Sequence, residues 1–315
     1  MNNRVGLCVV FNHNFEANIP KLRKIYDNRF HEVLYLIPSF RSSEADIKTV
    51  YRGSYNFHGY ISDKLEDILR MDVDYYMFVH DDVILNPNIN QVSLLEKIGL
   101  GEKDAFFPYI RGYNPTQNWY WNERVISRLI GIEKHLFSSG FIDFFKYLPE
   151  KELAISQFEK HKIPAITSIN KQEIFDTHKN NFNETNNLIW QFIFADSKEE
   201  LQLPYPLALG ISDIFVIRRS CMEYFGHICG IFAAMDIFVE AAIPTALLLA
   251  CQEIQFIKNT QLRAHNYLKP WSIKTPEEQE LNEIINNLEK VDDLHKVFVD
   301  DHIFFIHPIK LSKLM

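Results

Sequence analysis

The chain has 315 residues, 47% of them hydrophobic, with a formal net charge of -8 at pH 7. That length and apolar content fit a large globular core rather than a disordered chain. The negative balance excludes broad electrostatic binding of nucleic acid, although not a local phosphate site.

The first predicted element is a buried strand over Val5–Phe11, after which Asn12-His13-Asn14 turns the chain. Asn14 is placed to cap a helix over Phe15–Tyr26. Glu32–Ile37 reads as a second strand and Thr49–Tyr51 as a short third. Apolar residues at Ile61, Leu65, Ile68 and Leu69 give helical spacing over Ile61–Arg70. Tyr75–Val79 is the next strand. This alternation predicts an α/β chain with a Rossmann-like, mostly parallel sheet and helices on both faces.

Further along, a helix is expected over Asn90–Ile98, a strand over Asp104–Ile110, and a loop rich in Asn, Tyr and Trp over Arg111–Trp121. Val125–Phe158 reads as mostly helical and 160–205 as mixed and polar. Ile214–Ile217 and Ile303–Ile306 read as strands and Glu277–Glu289 as a charged surface helix. One continuous domain is expected: a nucleotide-binding half over 1–110, a partly helical insertion over 111–205, and an acceptor-binding half with C-terminal closure over 206–315.

Cys8, Cys221, Cys229 and Cys251 form no Cys-x-x-Cys pair and read as buried thiols of a reducing compartment. No secretory leader pattern opens the chain. The apolar run Ile228–Ile254 contains Asp236, Glu240 and Pro244, which argues for soluble core over a membrane span. The expected location is cytoplasmic, and peripheral contact with the inner face of the cell membrane is compatible with that run.

Ligands of such sheets bind outside the carboxyl ends of the strands. Three loops converge there: Asn12–Asn14, where Asn12 and the preceding Phe11 are candidate nucleotide contacts, Phe57–Ser62, and His80-Asp81-Asp82. No Gly-x-Gly-x-x-Gly follows the first strand and no Walker-type Gly-Lys-Ser occurs, so dinucleotide and P-loop chemistry rank low. Two adjacent carboxylates after a buried strand are costly without a cation, and a hard divalent metal carrying phosphate would supply one.

His80-Asp81-Asp82 resembles the Asp-x-Asp signature of GT-A fold glycosyltransferases, with His80 in place of the first Asp. By that resemblance Asp82 binds Mn²⁺ or Mg²⁺ on a nucleotide-sugar diphosphate, with His80 and Asp81 beside the nucleotide. Gly210–Ser220, followed by Phe225, Gly230-Ile231-Phe232 and Phe238-Val239-Glu240, resembles the acceptor half of such enzymes. There Glu240 matches the Glu of a Glu-Asp pair and Ala241 replaces the Asp. Glu240 is therefore the candidate base, with Asp236 and Asp213 next; alternatively Asp236 and Glu240 are an i,i+4 pair on a surface helix. The resemblance further implies a C-terminal metal-binding His, for which His307 fits best and His302 second, and a cation on the diphosphate, Lys310. His58, Gly59 and Lys64 would approach the nucleotide, Gly59 by close backbone approach and Lys64 by charge; an ordinary helix cap by Ser62 accounts for that segment equally well. Asn114–Trp121 offers a sugar-stacking surface or a Trp-anchored loop.

The reading implied is a metal-dependent glycosyltransferase with a nucleotide-sugar donor, UDP-linked by preference. Its acceptor would be a glycan or lipid-linked glycan of the kind built into bacterial surface polysaccharide. The alternatives are a metal-dependent nucleotidyltransferase or phosphohydrolase, and a catalytically silent nucleotide-sugar-binding protein.

Overall fold

A computed structural model describes residues 3–117, 119–133, 143–178, 193–194, 198–266 and 275–315. The strands in chain order are β1 (Val5–Val10), β2 (Glu32–Pro38), β3 (Ile47–Val50), β4 (Tyr75–His80), β5 (Ile84–Leu85), β6 (Ala105–Phe107) and β7 (Ile110–Gly112). They continue with β8 (Ser168–Asn170), β9 (Glu200–Gln202), β10 (Ala208–Gly210), β11 (Ile214–Arg218), β12 (Ile254–Phe256), β13 (Arg263–Asn266) and β14 (Ile303–His307).

Seven strands form the central sheet, in the order β12-β6-β11-β4-β1-β2-β3. Every pairing is parallel except the two that β11 makes, with β4 and β6. The expected mostly parallel α/β sheet is thus present. β1 and β4 are buried at every position, as strands covered on both faces must be.

One core layer holds Tyr60, Phe78, Phe215 and the helices Arg219–Ala234 and Val239–Ala250. The other holds Phe11, Leu22, Val79, Phe304 and Ile309. The alternating pleat of β4 sends Phe78 to the first layer and Val79 to the second. Separate from both, Ile126, Ile130, Ile169 and Ile174 form a small cluster under the hairpin β8–β9.

Several element boundaries differ from the sequence expectation. The Phe15–Tyr26 helix begins with a 3-10 turn, Glu16–Asn18, and is α-helical only over Ile19–Tyr26; Asn14 donates to Ser39 O instead of capping it. The expected single helix Ile61–Arg70 is two short helices, His58–Asp63 and Leu65–Leu69. Asp104–Ile110 is divided between β6 and β7 at Pro108, whose ring leaves no amide hydrogen for a ladder. Val125–Phe158 resolves into helices Asn122–Glu133 and Lys151–Lys160 with a 3-10 turn at Phe144–Tyr147, and its residues 134–142 lie outside those described. The apolar run Ile228–Ile254 is not one span: it covers the end of helix Arg219–Ala234, a break, and helix Val239–Ala250. Among the described residues no helix is long and apolar enough to cross a membrane.

Candidate active site

The carboxyl ends of β1 and β4 open into a cleft of about 680 Å³. Asn12, His80, Asp81, Asp82, Asp213, Glu240, His307 and Lys310 all line it. Most of the residues expected at the site are therefore in one place, although they come from both ends of the chain.

The motif is fixed by backbone before any side chain acts. His80 N–H donates to Asp213 O at 2.9 Å and Asp81 N–H to Val10 O at 3.0 Å. Asp82 O accepts from Ile309 N–H at 2.8 Å, so the C-terminal segment is tied directly over the motif. His307 arrives through register: β14 pairs antiparallel with the two-residue β5, Phe305 opposite Leu85 and Ile306 opposite Ile84. The next residue of β14 must then lie beside the turn that carries Asp82. Asn86 holds this pairing, its side-chain amide donating to Ile303 O at 2.9 Å.

His307 Nε2 is 3.4 Å from Asp82 Oδ1, and its Nδ1 is 3.9 Å from Asp213 Oδ2. Burial pulls the imidazole pKa down, but the Asp213 and Asp82 charges outweigh it, and the pKa rises to about 9. Asp213 is pushed up by burial and pulled down further by His307 and His80, to about 2. Its Oδ1 lies 2.9 Å from His80 Nδ1. The His80 ring sits edge-on to Phe57 at 4.2 Å and also faces the Asn12 amide at 3.2 Å.

Asp81 takes a different part. Its Oδ1 accepts from Asn12 N–H at 3.3 Å and its Oδ2 from the Asn18 amide at 3.4 Å. Burial, then the neighbouring Asp82 charge, raise its pKa to about 6. It binds the loop after β1 to the end of β4, while Asp82, half-buried, faces the cleft.

The donor set suits a divalent cation. Three carboxylates, Asp81, Asp82 and Asp213, crowd one cleft wall with two imidazoles. Asp82 Oδ1 and Asp213 Oδ2 are buried oxygens that receive no hydrogen bond. Among the described residues no group of three or more His, Cys, Asp or Glu side chains is arranged to hold a metal ion by itself. A partial set of one oxygen and one nitrogen is what a metal needs when phosphate oxygens and water complete its shell.

Other expected residues stand elsewhere. His58, Gly59 and Lys64 do not line the cleft. The helix beginning at His58 turns His58, Gly59, Tyr60 and Ile61 into the core. A Cβ on Gly59 would meet Arg52 Cδ at 2.5 Å and Ala233 Cβ at 2.9 Å, so the glycine serves helix packing and not a ligand. Ser62 lies inside this helix and does not cap it. Lys64 sits at the junction of the two short helices. Ligand-facing residues of this stretch are instead Ser54, Tyr55 and Phe57, just upstream. Phe11 is fully buried beneath the cleft, against Tyr35. His302 is exposed at the far end of β14.

Asp236 also departs from expectation. The helix ends at Ala234, Asp236 takes a left-handed φ of 55°, and a new helix begins at Val239. Its carboxylate meets Arg124 and Arg128, each at 2.7 Å, and it does not line the cleft. Asp236 and Glu240 are therefore not an i,i+4 pair on one helix. Glu240 lies in the first turn of Val239–Ala250, half-buried, where the helix dipole favours a carboxylate.

Sequence reasoning missed the aromatic lining by Tyr55 and Phe15 and a second cleft lysine, Lys313. Each occupies an irregular segment, so no periodicity marked it.

No known protein-family model matches the chain, and no curated protein sequence does. Among solved structures it is similar to core-mannan synthase A from Aspergillus fumigatus in its Mn/GDP form, with a TM-score of 0.38 and 9% identity over 82% of this chain and 73% of that one. It is similar to the mannosyltransferase Ktr4p from S. cerevisiae at TM-score 0.32 and 12% identity, over 81% and 69% of the two chains. It is also similar to mouse xyloside xylosyltransferase 1 at TM-score 0.32 and 9% identity, over 99% of both.

Proposed function

We propose that this chain is a GT-A-like glycosyltransferase that moves a sugar from a nucleotide sugar, UDP-linked by preference, to a glycan or lipid-linked glycan, with a divalent metal. One observation carries the reading: Asp82 and His307 meet at 3.4 Å in a cleft that Lys310, Lys313 and Glu240 also line. Asp82 and His307 would hold Mn²⁺ or Mg²⁺, which when bound screens charge on a leaving diphosphate.

The remaining parts follow from this chain's own side chains. Lys310 and Lys313 neutralise phosphate from the C-terminal segment as point charges. Asp213 keeps His80 and His307 oriented from behind. Asn12 and His80 bound the nucleotide side of the cleft. In an inverting transfer Glu240 takes the proton of the acceptor hydroxyl as its oxygen bonds to the anomeric carbon and the nucleoside diphosphate leaves. In a retaining transfer the same carboxylate holds the acceptor hydroxyl.

Thermal shift with UDP-, GDP- and CMP-sugars, each with and without Mn²⁺, tests the reading. A ligand at a hundred times its dissociation constant stabilises by about 2.7 kcal/mol. Metal-dependent stabilisation by one class, with slow release of the intact nucleotide (UDP, GDP or, from a CMP-sugar, CMP) and the free sugar, supports it. Release of the nucleoside monophosphate with a sugar phosphate places the broken bond at phosphorus and overturns it in favour of a phosphohydrolase. Binding with no turnover for any acceptor favours a silent binding protein.

A further inference from the structure

On one wall of the cleft three rings pack into one cluster, in which Phe238, 4% exposed, backs the more open Trp121 and Tyr55. Trp121 stacks on Phe238 with centroids 4.6 Å apart and planes at 23°. Tyr55 leans on both, 4.7 Å from Trp121 and 5.7 Å from Phe238. All three line the cleft, and Tyr55 remains 45% exposed. Phe238 and Trp121 belong to the core layer on one side of the sheet, whereas Ile309 and Leu311, which flank Lys310, belong to the layer on the other. The rings and the cleft lysines are thus contributed from opposite sides.

One carboxylate joins the three segments that carry these rings. Asp236 accepts from the Asn56 amide at 2.6 Å, from Arg124 Nη2 at 2.7 Å and from Arg128 Nη2 at 2.7 Å. Asn56 adjoins Tyr55, Arg124 lies one helical turn beyond Trp121, and Asp236 stands two residues before Phe238. The Arg124 guanidinium also lies over the Tyr55 ring, 5.1 Å from its centroid. The left-handed backbone at Asp236, uncommon outside glycine and tolerated by Asp, lets the chain turn from one helix to the next while its carboxylate faces the arginines. Such a hub fixes the mutual angles of the rings before any ligand arrives, which lowers the entropy cost of binding.

We propose that the Tyr55–Trp121–Phe238 face is the acceptor subsite, that it takes an uncharged sugar ring, and that Asp236 is its positioning residue. This rests on the reading of the cleft as a glycosyl-transfer site. Ring faces suit the C–H face of a pyranose, while Ser54 and Glu240 at the edge accept or donate to its hydroxyls. An anionic acceptor would meet Glu240 on this wall with the lysines on the other. Asp236, expected as a base second to Glu240, acts here through the rings.

Saturation-transfer NMR with the methyl glycosides of glucose, galactose, mannose and N-acetylglucosamine tests the proposal, alongside calorimetry of Mn²⁺–UDP on the same proteins. At least one glycoside is expected to bind the intact protein through its ring C–H protons. Tyr55→Ala, at a half-exposed position where the fold is safe, and Trp121→Ala should each weaken that binding between about twofold and tenfold. Asp236→Asn, which keeps the size and the left-handed backbone, should weaken glycoside binding with Mn²⁺–UDP affinity and melting temperature held. Equal glycoside affinity in the intact protein and all three variants overturns the subsite. So does the absence of any glycoside signal from protein that binds Mn²⁺–UDP. Ring-dependent glycoside binding by protein that binds no nucleotide sugar leaves the subsite standing and removes the glycosyltransferase reading.

Discussion

Asp82, following β4, and His307, ending β14, stand 3.4 Å apart although they lie near opposite ends of the sequence. The pairing of β5 with β14 creates the contact, and the Ile309 N–H to Asp82 O bond holds it at 2.8 Å. The Asp213 and Asp82 charges raise the pKa of the His307 imidazole, which as an imidazolium balances the carboxylates beside it.

Asp82→Asn is expected to keep the fold, because Asp82 is half-buried and its backbone contact survives. Metal-dependent nucleotide binding should disappear. Isothermal calorimetry checks this, and unchanged Mn²⁺–UDP affinity in the variant would remove Asp82 from the metal site.

Glu240→Gln should cut turnover by about 10²–10⁴ while donor affinity stays near normal, the signature of a lost proton acceptor. Melting temperature and turnover measured on one preparation separate this from a structural loss. Folded variant with near-normal turnover means that the base is another group, and Asp213 is then the next cleft carboxylate to test.

Lys310→Ala should weaken donor binding about tenfold or more, because a charged partner of the diphosphate is lost. The effect should shrink at high salt, since Lys310 is exposed and its field is screened. Titrations of the nucleotide sugar at two ionic strengths decide it; a loss independent of salt would point to altered packing of the C-terminal segment.

His58 gives a pH prediction away from the cleft. Its ring is fully buried, and burial drives its pKa from the ordinary 6.5 down to about 3. The unfolded chain therefore binds the extra proton between these values. The stability linked to His58 is fully present above pH 6.5 and is lost as pH falls towards 3. His58→Phe should flatten the melting-temperature profile over that window relative to the native protein. Parallel profiles for the two proteins would show that the buried imidazole does not set the acid limit.

The strands that build the site were legible in the sequence because their side chains are buried on both faces. Tyr75–Val79 and Val5–Phe11 read as unbroken apolar runs, and they became β4 and β1 with little change. The placement of Asp82, Asp213, Glu240, His307 and Lys310 in one cleft followed from strand order and from an outside likeness of motifs. In the segment Phe57–Ser62 only Phe57 reaches the cleft, which the sequence did not show because residue types that suit a ligand loop suit a helix start equally well. Only packing against helix Arg219–Ala234 shows that Gly59 makes room for a neighbouring helix.

The sequence by itself determined the alternating α/β pattern, the buried strand running into paired acids, and the want of a dinucleotide or P-loop motif. These are local properties, set by side-chain period and by the cost of burying charge. Tertiary structure alone decided which acids face the cleft. Asp236 and Glu240 are four residues apart, yet Asp236 turns to Arg124 and Arg128 and Glu240 to the cleft wall. The reason is that Asp236 itself takes a left-handed backbone in the break between two helices, and the arginines that capture it come from a segment more than a hundred residues away, which no local pattern encodes.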